Sequence, residues 1–276
     1  MVTLNESDTY WARPEHPCGT GVLVLAGSSG RLDVGRADVL AGAGATALAI
    51  RWFGEEEQPA VPCEVPLETF VAAINLLDGE CDRIGVLGLS YGAEAAMLTA
   101  VRDPRIGAVV ALAPTDVVWE GQYERDDDPH RSKWTWRGDP VPFVPLDRSW
   151  APTSSPPTFA THYAQSRQQA DPATVDAATI PVESFQGELV LVAGGDDQVW
   201  PSCAAVRAIV GRRSAAGRRT TVIEDAAAGH PVVLPGERAD NASRPYLVGG
   251  DVGAAERLGR AAWPAIRRAF RIDDLT

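Results

Sequence analysis

Ser90 stands at the centre of Gly88-Leu89-Ser90-Tyr91-Gly92, directly after the apolar run Ile84-Gly85-Val86-Leu87 and directly before Ala93-Glu94-Ala95-Ala96-Met97-Leu98. Strand, sharp turn and helix in that order form a nucleophile elbow, which lifts a serine hydroxyl to where a substrate can reach it. The glycines at 88 and 92 suit a turn too crowded for side chains. The chemistry such a serine could do is covalent acyl transfer. The plain alternative is a glycine-rich turn with an idle serine, and the flanking strand and helix patterns weigh against it.

A serine hydroxyl is a weak nucleophile until a histidine takes its proton and an acid orients that histidine. On a sheet with this elbow the chain order is serine, acid, histidine. After the apolar run Leu189-Val190-Leu191-Val192-Ala193 come Gly194-Gly195-Asp196-Asp197-Gln198-Val199-Trp200-Pro201, acids at the carboxyl end of a predicted strand. After the next run, Thr220 to Glu224, comes Ala228-Gly229-His230-Pro231. His230 is the expected base, because His16 precedes the first predicted strand and His130 and His162 fall in a long irregular segment. Asp197 is the expected acid, with Asp196 structural in the same turn. Oxyanion donors are expected from the backbone amide of Tyr91 and from the loop Gly27-Ser28-Ser29-Gly30, with Ser28 and Ser29 as candidates. That loop would equally serve to cap the helix after it.

Elements must bring these distant positions together. Gly21–Ala26, Thr46–Phe53, Ile84–Leu89, Ile106–Ala113, Glu188–Ala193 and Thr220–Glu224 are short, continuous apolar runs, the pattern of strands buried on both faces. Helical stretches alternate with them: 34–43, 66–77, 93–102, 201–213 and 254–270. In the second, Leu67, Phe70, Val71, Ile74 and Leu77 recur at helical spacing and form a core face. The alternation predicts a doubly wound, mostly parallel α/β sheet. Residues 117–187 break the rhythm: they are rich in proline and aromatics, with weak periodicity. Such a segment in a compact domain reads as a lid, and Trp119, Trp134 and Trp136, with Trp200 beyond it, become candidate pocket residues. An insertion packed elsewhere on the surface is the alternative.

Composition excludes several classes. With 276 residues the chain suits one α/β domain spanning 1–276. A net charge of −12 speaks against general nucleic-acid binding. No apolar run approaches the roughly 20 residues of a membrane span, and no basic-then-apolar leader opens the chain, so a cytoplasmic location is expected. Cys18, Cys63, Cys81 and Cys203 lack metal-ligand spacing, and no dinucleotide-type glycine motif is present; no metal and no organic cofactor is expected. Oligomeric state leaves no pattern in the sequence.

The stretch from Gly21 to Ala37, Leu48–Phe53, Val65–Phe70, the elbow, Gly194–Ser202 and Ala228–His230 together resemble the catalytic domain shared by acyl-CoA thioesterases and bile-acid-CoA:amino-acid N-acyltransferases, within the α/β-hydrolase superfamily. Trp134-Thr-Trp-Arg137 and Pro142-Phe-Val-Pro145 are similar to the cover segment of bacterial members. The resemblance implies an α/β-hydrolase fold, a Ser90–Asp197–His230 triad and a coenzyme A thioester as substrate. Animal members carry an N-terminal β-sandwich, whereas about 20 residues precede the first predicted strand here. Arg31 also stands where a glycine is usual.

The expected partner is a small acyl thioester or ester. A serine acyl-enzyme is an oxygen ester suited to transfer onto water, which favours hydrolysis over N-acyl transfer. A carboxylesterase or dienelactone-hydrolase-like enzyme would use the same triad on oxygen esters, and a catalytically silent binding domain is a third reading. Coenzyme A would need phosphate contacts, for which Arg212, Arg213, Arg218 and Arg219, or Arg131, Lys133 and Arg137, are candidates.

Overall fold

A computed structural model describes residues 4–125, 127–238 and 244–272. In chain order the strands are β1 (Thr9–Ala12), β2 (Thr20–Leu25), β3 (Thr46–Ile50), β4 (Val65–Pro66), β5 (Arg83–Leu89), β6 (Ile106–Leu112), β7 (Trp134–Trp136), β8 (Asp139–Pro140), β9 (Glu188–Gly194) and β10 (Thr221–Asp225). The helices are α1 (Val34–Gly42), α2 (Glu68–Asp78), α3 (Tyr91–Ala100), α4 (Ala160–Gln169), α5 (Pro172–Ala178), α6 (Ser202–Ala215) and α7 (Ala254–Phe270). All six predicted strands and five predicted helices are present, with ends moved by a few residues.

Seven strands form one sheet in the order β1-β3-β2-β5-β6-β9-β10. Only β1 runs antiparallel, pairing Thr9–Ala12 with Ile50–Ala47. It is an unpredicted strand, and it brings the start of the sheet to residue 9 rather than about residue 20. Side-chain alternation explains why the central runs are apolar throughout. Leu23, Leu25, Val86 and Val109 point to the layer of α2, α3 and α6, packing with Phe70, Ile74, Met97 and Ile209. Val22, Val24, Leu87, Val110 and Val192 point to the layer of α1 and α7, against Leu40, Leu258, Ile266 and Phe270.

Residues 117–187 carry their own local order. β7 pairs with β4 and β8 in a small sheet, α4 and α5 follow, and bridges join Val117 to Thr179 and Trp119 to Val144. Phe159 and Ala160 donate backbone N–H bonds to Gln198 O, which fastens α4 to the turn after β9. Among the described residues no helix is long and apolar enough to cross a membrane.

Candidate active site

The elbow is built by close backbone approach. A Cβ on Gly88 would lie 2.1 Å from Gly92 O, and one on Gly92 would lie 2.4 Å from Leu25 O, so neither position admits a side chain. Between them Ser90 adopts φ 59°, ψ −120°, a conformation that costs a non-glycine residue of order 1–3 kcal/mol and persists only where its surroundings impose it. Ser90 N donates to Leu112 O, and Ser90 O accepts from the N–H groups of Ala93 and Glu94. Tyr91 is the first residue of α3, so its N–H has no acceptor within its own helix. The loop after β2 comes against the nucleophile: a Cβ on Gly27 would sit 3.1 Å from Ser90 Cβ. Ser28 and Ser29 follow on the wall of the cavity that Ser90 lines.

His230, in the loop after β10, lines that same cavity. Its Nδ1 lies 3.0 and 2.9 Å from the two carboxylate oxygens of Asp197, which leaves Nε2 as the ring nitrogen available to the cavity. Both side chains are buried. Asp197 Oδ1 also accepts from Val199 N and Trp200 N, so the turn holds its carboxylate in one orientation. Asp196 does a different job in the same turn. Its Oδ2 accepts from Gly250 N at 2.7 Å and its Oδ1 from Gln198 Nε2. The structure therefore brings Asp197, not Asp196, to His230. Cys203, the thiol beside this turn, is pushed up to about 11, first by burial and then by the neighbouring Glu224, and stays protonated at neutral pH.

A strap of chain left no signal in the sequence. Val248 O accepts from both His230 N and Gln198 N, tying the histidine loop to the acid loop. Fitting the strap there requires glycine: a Cβ on Gly229 would meet Gly249 O at 2.2 Å.

The tryptophans are placed otherwise than expected. Trp119, Trp134 and Trp200 are buried in the core, and Trp136 is partly buried beside the guanidinium groups of Arg102 and Arg137. Among the described residues none from 117–187 lines the cavity at Ser90, nor does Trp200. Their large apolar rings pack with one another and with the sheet: Trp134 against Trp52 and Phe70, Trp119 and Trp200 against Tyr163. Trp200 still bears on the site, its ring centroid 5.8 Å from that of His230 and its Nε1 donating to Ala113 O.

The candidate phosphate ligands are also corrected. Arg213 is buried, and its guanidinium is consumed by Thr220 Oγ1 and by carbonyls of Val182 and Phe185. Arg212 pairs with Asp116 and Glu183. Arg218 and Arg219 precede the start of β10, the sheet end opposite the elbow, because β5 and β10 run in the same direction. Arg131 pairs with Glu64. Arg137 sits over Trp136 in the segment that does not reach the cavity. Lys133 is fully buried against Glu94.

That last contact is part of a buried network beneath the elbow. Glu94 Oε2 accepts from Lys133 Nζ, and Oε1 accepts from Trp134 Nε1 at 2.7 Å and from Trp119 N at 3.3 Å. Burial pushes the Glu94 carboxyl up, against the pull of Lys133 and these donors. Lys133 Nζ lies 3.5 Å from the ring centroid of Tyr91, whose hydroxyl is 3.0 Å from that of Tyr163. Sequence reading missed the pair, although an acid in the first turn of the elbow helix and the only lysine of the chain were both visible.

Comparison with known proteins agrees with the fold. A putative dienelactone hydrolase from Klebsiella pneumoniae superposes with a TM-score of 0.57 at 14% identity, covering 95% of this chain and 92% of that one. The acylaminoacyl peptidase of Pyrococcus horikoshii superposes with a TM-score of 0.55 at 10% identity, covering 94% and 39%. This is the α/β-hydrolase fold. Among curated proteins, acyl-coenzyme A amino acid N-acyltransferase 2 of Rattus norvegicus is 26% identical over 270 residues, covering 91% of this chain and 59% of that protein. Bile acid-CoA:amino acid N-acyltransferase of Mus musculus is 24% identical over 262 residues with the same coverage. The chain thus spans about three-fifths of the length of these relatives. Residues 65–270 match the BAAT / acyl-CoA thioester hydrolase C-terminal family, and the chain belongs to that family.

Proposed function

We propose that the chain is a serine hydrolase that cleaves acyl-CoA thioesters through Ser90, His230 and Asp197. The observation that carries the reading is the bond from His230 Nδ1 to a turn-locked Asp197, with His230 on the wall of the cavity that Ser90 lines. His230 Nε2 takes the Ser90 proton as Oγ attacks the thioester carbonyl. The negative oxygen is received by Tyr91 N–H and an N–H of the Ser28–Ser29 loop. Collapse expels the coenzyme A sulfur, which takes the proton from His230 and leaves an acyl ester on Ser90. Water, deprotonated by His230, then attacks that ester and releases a carboxylic acid and free Ser90. Asp197 holds the imidazole in the required tautomer and offsets its transient positive charge. Trp119, Trp134, Trp136 and Trp200 do not line the cavity at Ser90, so substrate contact is assigned to the residues that do.

The test is release of free thiol from a panel of acyl-CoA esters. Ser90→Ala is expected to lower kcat by roughly 10⁴-fold or more while KM changes little. An unchanged rate in that variant disposes of the reading.

N-acyl transfer is the second reading, favoured by the names of the curated relatives. It predicts amide formation with an amino acid as acceptor. The oxygen ester on Ser90 is a poorer donor to amines than a cysteine thioester, so hydrolysis is placed first.

A further inference from the structure

The loop expected to supply an oxyanion donor and the loop that carries His230 are separate pieces of chain, and one buried side chain bonds to both. Arg36, in the first turn of α1, is only 3% exposed. Its Nη1 donates to Asp33 Oδ2 at 2.7 Å, and its Nη2 donates to Val232 O at 3.0 Å and to Glu237 Oε1 at 2.9 Å. Asp33, Arg36, Val232 and Glu237 stand on the wall of the cavity that Ser90 and His230 line, where residues of α1 and α7 form further parts of that wall.

Each partner of Arg36 lies close along the chain to a group of the site. Asp33 ends the loop that begins at Gly27, and close packing leaves that loop little freedom: a Cβ on Gly27 would sit 3.1 Å from Ser90 Cβ, and one on Gly30 would sit 3.2 Å from the Phe53 ring. A shift at Asp33 therefore reaches Ser28 and Ser29. Asp33 holds the N-cap position of α1, where an aspartate ordinarily accepts from its own helix, yet it makes no cap bond and its carboxylate turns to Arg36. On the other side Val232 follows His230 with only Pro231 between them, and the locked φ of proline makes that link stiff. Glu237 closes the same loop, its Oε2 accepting from Leu234 N at 2.9 Å.

Stability alone is a poor reason for such a cluster. Burying charged groups costs their hydration, and apolar residues of similar volume often serve a core as well or better. Apolar residues cannot supply direction. A guanidinium is a planar fork with donors at fixed angles, so it holds three acceptors on two loops at set spacings, which the single ammonium of a lysine cannot reproduce.

We infer, on the acyl-transfer roles given above to Ser90, His230 and the Ser28–Ser29 loop, that Arg36 is a positioning residue: it fixes the spacing between that loop and His230 without touching the reacting atoms. A misplacement of about 1 Å in such a site can cost roughly 10²-fold in rate.

Two readouts test this. One is the rate at which a fluorophosphonate labels Ser90, which calls on nucleophile, base and oxyanion donors but on no thioester; the other is kcat and KM for an acyl-CoA. Arg36→Lys is expected to slow labelling and lower kcat by about 10- to 100-fold, with KM within about threefold of native. The charge-free variant Asp33→Asn/Arg36→Met/Glu237→Gln separates positioning from folding. Its melting temperature should lie near the native value, because no buried charge is left unpaired, while labelling and kcat stay as low as in Arg36→Lys. Arg213→Lys, the same exchange at a buried arginine bonded to carbonyls before β9, should lower the melting temperature and leave labelling unchanged. If the charge-free variant labels and turns over at the native rate, or if Arg36→Lys raises KM and spares kcat, Arg36 is structural only; the inference falls and the hydrolase reading stands. If the native protein labels at Ser90 and cleaves no thioester, the substrate reading fails and slower labelling of Arg36→Lys still supports the inference. If native Ser90 does not label where a control hydrolase does, both fail.

Discussion

Lys133 Nζ donates to Glu94 Oε2 across 2.8 Å, and neither side chain retains any solvent exposure. Glu94 lies one turn into α3 from Ser90, while Lys133 belongs to the segment beside β7, so the bond fastens that segment to the helix carrying the nucleophile. Removing one partner strands a buried charge, whereas removing both charges does not. Lys133→Met alone is expected to cost about 3–5 kcal/mol of unfolding free energy. Glu94→Gln with Lys133→Met, which keeps an acceptor for Trp134 Nε1, should restore much of that loss. Urea denaturation of the single and double variants measures both; equal destabilisation would mean the charges are not coupled.

The two adjacent acids should separate cleanly by kinetics. Asp197→Asn keeps the size of the side chain but lets the wrong imidazole tautomer form, and a fall of about 10⁴-fold in kcat is expected. Asp196→Asn retains an oxygen for Gly250 N and should stay within about tenfold of the native rate. Steady-state thiol release checks the pair, and comparable losses in both would overturn the assignment.

Gly249 lies in the strap between Val248, whose O accepts from His230 N and Gln198 N, and Gly250, whose N donates to Asp196 Oδ2. At φ 74° it holds a left-handed conformation, and a Cβ would fall 1.7 Å from Asp196 O. The left-handed conformation alone costs a side chain roughly 1–2 kcal/mol. Gly249→Ala must also displace the turn that carries Asp197, and with it Val248 O, the acceptor for His230 N. Activity should therefore fall by more than tenfold while the protein remains folded at 25 °C. A variant of native activity would show that the strap does not set the position of His230.

His162 stacks on Trp150, with ring centroids 4.5 Å apart and planes at 12°, and its Nε2 meets Asp147 O at 2.9 Å. Burial holds its imidazole below the ordinary 6.5, and the Asp147 carbonyl only partly offsets this. A depressed value means that the folded state resists taking the proton. Its stabilising contribution is complete above about pH 6.5 and is lost as the pH falls through the depressed value. The melting temperature should drop on acidification in this range, and less steeply in His162→Gln. Parallel pH profiles for the two proteins would rule the group out.

The central strands could be read from residue types because burial on both faces demands unbroken apolar runs. β1 could not: Thr9–Ala12 is short and largely half-buried, and only its pairing with β3 makes it a strand. β4, β7 and β8, of two or three residues each, have too few positions to show a period. The tryptophans of 117–187 suggested a pocket because an aromatic side chain suits a ligand and a core equally well. Residue type carries no direction, and the packing of Trp134 on Trp52 and Phe70 sent it inward. The Gly249–Gly250 strap was invisible for a related reason. A glycine chosen for contact with a distant backbone looks like any loop glycine.

By itself the sequence determined the elbow, the chain order of serine, acid and histidine, and the layered α/β architecture, since all three follow from local geometry and periodicity. Tertiary structure alone decided that Asp197 rather than Asp196 meets His230, that Lys133 lies buried against Glu94, and that the cavity at Ser90 opens between α1 and α7 instead of under the tryptophan-rich segment. Each of those depends on which side chains converge across tens of residues of chain, and short-range patterns hold no record of such distances.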